Sequence, residues 1–263
     1  MSTQRFDFDS RRGYKLCGRL DLPEGEPRGY AVHAHCFSCS KDGHTAARAS
    51  RELARLGIGV LRFDFAGLGS SEGDFADTNL STNFDDLDDA VSAMVSVGRT
   101  PRLLFGHSWG GAAALAVGGR RAEIGAVVTL GTTAEAAELE TMLRRRNPHL
   151  ALARNDSPER VHSVQIGPRS YRIRQQLFDD AAQHDIPAYA AALGKPLLVL
   201  HAVDDELLGM EHALRLFTAA QTPKSLVMLD GADHLLSRRE QNHRVAHLIA
   251  AWAEALWMPP PPA

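Results

Sequence analysis

The stretch "PRLLFGHSWGGAAALAV", residues 101–117, decides how the chain is read. Leu103, Leu104 and Phe105 end an apolar run of the kind that forms a buried strand, and residues 112–117 open an alanine-rich helix. Ser108 falls at the joint, between Gly106 and Gly110. At a sharp strand-to-helix turn, the residues two before and two after the serine run against neighbouring backbone, where a Cβ would clash. A tight joint of this kind strains the serine backbone and turns its hydroxyl out of the sheet, as a nucleophile requires.

Outward from that joint, strand and helix patterns alternate. Before it come "HTAARASRELARLG" (44–57, helical spacing, stopped at Gly57), "IGVLRFDF" (58–65, strand) and "NFDDLDDAVSAMVSVG" (83–98), a helix with acids in its first turns, where the helix dipole favours them. After it come strands at 124–131, 195–202 and 224–230 and helices at 211–221 and 242–257. Near the N-terminus, "RFDFDS", "KLCGRLDLP" and "GYAVHAHC" read as strands joined by short turns. This order predicts an α/β fold with a mostly parallel central sheet, helices on both faces and an antiparallel edge. Residues 132–194 break the rhythm with a helix ("AEAAELETMLRRR"), a hairpin turning at Gly167-Pro168 and a further helix. An insertion there is expected to form a lid over the carboxyl ends of the strands, where open α/β sheets bind ligands. The expected organisation is a core of residues 1–131 and 195–258, a lid of 132–194 and a disordered proline-rich tail of 259–263.

A serine hydroxyl needs a base, and the base needs an orienting carboxylate. His234, in "LDGADHLL", follows the last expected strand and can swing over the sheet edge. "LLVLHAVDDELLG" ends the preceding strand and offers Asp204, Asp205 and Glu206. Asp233 adjoins His234, but neighbouring loop residues tend to point apart. An oxyanion would need backbone donors. The Trp109 N–H follows the serine, and the Phe37 N–H lies in the loop after the "AVHAH" strand.

Other clusters carry less. "RFDFAGLGSSEG" (62–73) lacks both G-K-[ST] and dinucleotide spacing, so it reads as a tight loop near the mouth of the site. In "HAHCFSC", His33 and His35 are expected on one strand face and Cys36 on the other, so no metal is expected. A redox role for Cys36 and Cys39 is weighed against plain buried or loop thiols, and the latter is favoured. Three cysteines in 263 residues suggest no disulfide scaffold. Arg144, Arg145 and Arg146 read as a solvated helix end.

A net charge of -3 implies no basic face, which argues against nucleic acid as a partner. No apolar run reaches membrane-span length, and the N-terminus has no signal-peptide core, so cytoplasmic residence is expected.

Together, the elbow, acid, base and strand order resemble the serine α/β-hydrolases over residues 28–257. "HCFSCSKD", "GVLRFDFAGLGSSEGDFADTN", "LLVLHAVDDELLG" and "FTAAQTPKSLVMLDGADHLL" are similar to the hydrolase half of bacterial proteins that fuse an α/β-hydrolase to an OsmC-type peroxide-reductase domain. In that branch the aspartate four residues after the strand-end histidine takes the acid position, which implies Asp205 here, and the "ADHLL" histidine corresponds to His234. The chain ends at Ala263, where the reductase half would begin, so peroxide reduction is not carried over. A serine nucleophile separates the chain from the dehalogenase and epoxide-hydrolase branches, which use an aspartate.

The expected function is that of a serine hydrolase of small to medium acyl esters, with Ser108, Asp205 and His234 catalytic and the Phe37 and Trp109 amides as oxyanion donors. A small-molecule acyl substrate, no cofactor, no metal, no nucleic acid or membrane partner, and a monomer or homodimer are expected. A thioesterase or other acyl hydrolase, a non-catalytic binding module of the same fold, and a thiol-linked activity at Cys36 and Cys39 are the alternatives.

Overall fold

In a computed structural model, the structure describes residues 1–153, 157 and 159–257. The tail expected at 259–263 lies outside the described residues.

The strands are β1 (Ser2–Arg5), β2 (Phe8–Asp9), β3 (Lys15–Leu16), β4 (Gly18–Leu22), β5 (Gly29–Ala34), β6 (Ile58–Phe63), β7 (Pro101–His107), β8 (Ala126–Leu130), β9 (His162–Ile166), β10 (Arg169–Ile173), β11 (Leu197–Ala202) and β12 (Lys224–Leu229). The helices are α1 (His44–Arg55), α2 (Leu80–Ser96), α3 (Trp109–Arg120), α4 (Glu138–Arg146), α5 (Gln176–Ala181), α6 (Ile186–Ala192), α7 (Met210–Ala219) and α8 (Arg239–Trp252).

Eight strands form one sheet in the order β1-β4-β6-β5-β7-β8-β11-β12. From β6 to β12 every neighbouring pair is parallel, while β1 and β4 pair antiparallel at one edge. Composition explains the arrangement. β6, β8 and β11 are buried at every position, as central parallel strands covered on both faces must be. β1 is exposed throughout, which suits an edge. Two apolar layers flank the sheet. Leu53 of α1 and Val245 and Ile249 of α8 pack with Val60 and Phe105 on one face. Leu87 of α2 and Leu115 of α3 pack with Leu61 and Leu104 on the other.

α2 starts three residues before its expected first residue, at an Asn79 cap whose side chain accepts from the Thr82 N–H. Its acids therefore miss the first turn. They pair with arginines instead: Arg12 reaches Asp86 at 3.1 Å, and Arg11 bridges Asp88 and Asp89. Charge neutralisation by a neighbouring segment, not the helix dipole, accommodates them.

The chain leaves the sheet after β8 and returns at β11. Between them lie α4, the β9–β10 hairpin across Gly167-Pro168, α5 and α6. None of the described helices is long and apolar enough to cross a membrane.

Candidate active site

The joint between β7 and α3 sits in the middle of the sheet. Ser108 adopts φ 54°, ψ −117°, a strained region for any side-chain-bearing residue. Packing over-determines it. A Cβ on Gly110 would drive into the carbonyl oxygens of Ala34 and His35, and one on Gly106 into the backbone of Gly110 and Gly111. The Ser108 N–H is fixed by the Leu130 carbonyl at 2.8 Å. The Trp109 N–H, first in α3, has no backbone acceptor four residues back, because the preceding residues are strand and turn.

Asp205 and His234 come together from the loops after β11 and β12. Asp205 Oδ2 lies 2.7 Å from His234 Nδ1. The other carboxylate oxygen accepts from the Leu207 and Leu208 amides, each at 2.9 Å. Burial pushes the Asp205 pKa up, but the hydrogen bond and charge of His234, with those two amides, outweigh it and hold the carboxyl below its ordinary value. With Nδ1–H donated to Asp205, Nε2 of His234 is the free acceptor. Both side chains stand against the end of β8: a Cβ on Gly131 would lie 3.3 Å from His234 Nδ1 and 3.4 Å from Asp205 Oδ2. Asp233 is turned away and caps the Leu235 and Ser237 amides.

One residue of this site was missed by sequence reasoning. His107, buried between Gly106 and Ser108, donates from Nε2 to the His234 carbonyl at 2.9 Å. Burial first, then the neighbouring His234 imidazole, pushes its pKa down to about 3, so it is neutral. Its only signal was its place inside the glycine–serine motif.

The loop after β5 carries the Phe37 N–H, which has no acceptor among the described residues. Cys36 and Cys39 form a disulfide that closes this loop, which corrects the expectation of plain thiols. The Cys39 N–H reaches the Cys36 carbonyl at 3.1 Å, so a turn brings the two side chains together, a proximity that spacing alone does not specify. Beneath it, buried Asp64 accepts from the Lys41 N–H and the Lys41 ammonium, both at 2.6 Å, and from the Ser70 N–H at 2.8 Å. The "RFDFAGLGSSEG" loop thus anchors the Phe37 loop through an ion pair. Tyr171, on β10, donates to the Ser38 carbonyl at 2.8 Å and ties the insertion to the same loop. Phe37, Phe75, Trp109 and Tyr171 make an aromatic wall beside it, with successive ring centroids 5.1–5.5 Å apart.

His33 and His35 do not share a face, contrary to expectation. β5 ends at Ala34, so the alternation stops before His35. His33 stacks on Phe105 and meets Ser50, whereas His35 packs on Phe65 and holds the Cys36 carbonyl at 2.8 Å. Both are engaged in packing, and burial lowers both pKa values.

A cavity of about 590 Å³ opens between the β9–β10 hairpin and the loops after β5 and β6. Lys41, Asp64, Ser70, Arg169 and Tyr171 line it. Neither Ser108 nor His234 lines it, so it neighbours the candidate active site without containing it.

Among solved structures, the esterase domain of a Rhodothermus marinus protein is 38% identical, covering 97% of this chain and 99% of that one with a TM-score of 0.79. Est1E from Butyrivibrio proteoclasticus, solved with bound ferulic acid, shares the fold at 20% identity and a TM-score of 0.77, covering 96% of this chain and 98% of its own. The uncharacterized protein YfhR of Escherichia coli (strain K12) is 24% identical over 241 residues, 89% of this chain and 74% of that one. The Hydrolase_4 profile, described as serine aminopeptidase, S33, matches residues 26–242, and with the parallel sheet and central elbow in place, the chain belongs to that family of α/β-hydrolases.

Proposed function

We propose that the protein is a serine hydrolase that cleaves small to medium acyl esters through an acyl-enzyme on Ser108. The observation that carries the reading is the 2.7 Å contact between Asp205 and His234 at the sheet edge where the strained Ser108 turn ends β7. His234 Nε2 takes the Ser108 hydroxyl proton as Oγ attacks the ester carbonyl. The resulting oxyanion is held by the Phe37 and Trp109 N–H groups. Collapse expels the alcohol, which receives the proton from His234 Nε2. Water then gives a proton to His234 and attacks the acyl-enzyme, and the acid leaves as Ser108 Oγ regains its proton. Asp205 keeps Nδ1–H donated and stabilises the imidazolium throughout.

Ester cleavage is favoured over other acyl chemistry because the 38% identical Rhodothermus marinus relative is an esterase domain. Residues 132–194 act as the lid, with Tyr171 and the aromatic wall facing the acyl group. The stretches 35–42, 59–79, 197–209 and 217–236 resemble the branch fused elsewhere to OsmC-type domains, and no peroxide chemistry is proposed for this chain.

The test is hydrolysis of a short p-nitrophenyl ester, together with labelling by a fluorophosphonate probe. Ser108→Ala is expected to lower kcat by about 10⁴-fold or more and to abolish labelling. Undiminished turnover in that variant removes Ser108 from the reaction, and a wild-type chain that neither hydrolyses nor labels is a binding module.

A further inference from the structure

Where α1 and α8 pack together over one face of the sheet, three metal-ligating side chains converge. His243 and His247 stand one turn apart on α8 with stacked rings, centroids 4.1 Å apart. Glu52, on α1, places Oε1 3.5 Å from His243 Nε2 and 3.6 Å from His247 Nε2. All three ligating atoms lie within 4.8 Å of one another. A tetrahedral zinc ion with bonds of about 2.0–2.1 Å holds its donors about 3.3 Å apart. The Glu52–histidine separations are already close to that value.

The carboxylate is also oriented for the task. Arg55 Nη1 donates to Glu52 Oε2 at 2.6 Å, leaving Oε1 turned to the imidazoles. A second contact that fixes a ligating carboxylate is a recurring feature of metal sites. Two imidazoles and one carboxylate suit borderline divalent transition metals, whereas Mg²⁺ and Ca²⁺ prefer all-oxygen sets.

We propose that Glu52, His243 and His247 form a site for a divalent transition-metal ion, Zn²⁺ foremost, that bridges α1 and α8. Both histidines are exposed, so water completes the coordination. The bridge would act on the helices that hold the His234 loop. From α1, Thr45 donates to the Leu235 carbonyl and Arg48 to the Ser237 carbonyl at 2.8 Å. From α8, Asn242 donates to the Leu236 carbonyl at 2.5 Å. Clamping α1 at Glu52, one to two turns past Arg48 and Thr45, to α8 at His243 and His247, just past Asn242, stabilises the platform under that loop. This proposal does not depend on the esterase reading.

Calorimetric titration of the EDTA-treated full chain with Zn²⁺ tests it. One ion per chain is expected, with affinity lowered at least about tenfold in Glu52→Gln and in each single histidine variant. Zn²⁺ should raise the Tm of the wild type and not that of His243→Gln/His247→Gln, while Mg²⁺ and Ca²⁺ raise neither. Circular dichroism and the metal-free Tm establish that the variants fold. No saturable zinc binding by the wild type, or equal binding by the folded double variant, overturns the proposal.

Discussion

The imidazole of His107 donates to the backbone carbonyl of His234 at 2.9 Å, with the two rings 5.2 Å apart. The residue beside the candidate nucleophile therefore positions the backbone of the candidate base. His107→Ala leaves a buried carbonyl without its donor and a void beside it. We expect kcat to fall about tenfold or more with KM little changed, and fluorophosphonate labelling to slow. His107→Gln, which can still donate, should recover part of the loss. Equal kcat in wild type and His107→Ala would remove the positioning role.

Asp205 orients His234 and stabilises its charged form, so its loss should act on turnover and not on substrate binding. Asp205→Asn is expected to lower kcat by about 10³–10⁴-fold at neutral pH. Asp204→Asn should stay within about twofold of wild type, since Asp205 carries the 2.7 Å contact. Steady-state kinetics of the two variants decide between the adjacent acids.

His33, His35 and His107 are buried and share depressed pKa values, the last about 3 against an ordinary 6.5. The unfolded chain binds protons at these sites before the folded one does. Their contribution to stability is thus full above about 6.5 and is lost as pH falls toward the folded values. Each site can contribute up to about 1.4 kcal/mol per pH unit inside its window. Urea midpoints are expected to drop steadily between pH 6.5 and about 4, with a shallower slope in His107→Gln. A pH-independent midpoint over that range would contradict the neutral assignment.

The Cys36–Cys39 bridge spans a sequence separation of 3, and so small a ring removes little chain entropy, on the order of 2 kcal/mol. Its larger effect is local, because the Phe37 amide lies inside the ring. Cys36→Ser/Cys39→Ser is expected to lose no more than about 2 kcal/mol in urea denaturation and yet to lower kcat several-fold. An unchanged kcat would show that the loop keeps its amide in place through Lys41–Asp64 and Tyr171 alone.

The sequence by itself determined the fold class and named Ser108, Asp205 and His234 as candidates, but not His107. Mostly apolar runs such as 58–63, interrupted only by Arg62, and 197–202, interrupted only by His201, specify central parallel strands, since only a sheet covered on both faces buries every position. The Gly106-His107-Ser108-Trp109-Gly110 joint was legible because its glycines answer a local steric demand that any chain making this turn must meet. Beyond the Asp205–His234 pair that the resemblance implied, pairings between distant segments were not legible, for contact across the fold leaves no periodic trace in the chain. Only the tertiary structure joined His107 to the His234 carbonyl, buried Lys41 against Asp64, set the acids of α2 against Arg11 and Arg12, and brought Glu52 to His243 and His247. Each of these depends on where two elements pack, and packing is decided by the whole core and not by either segment.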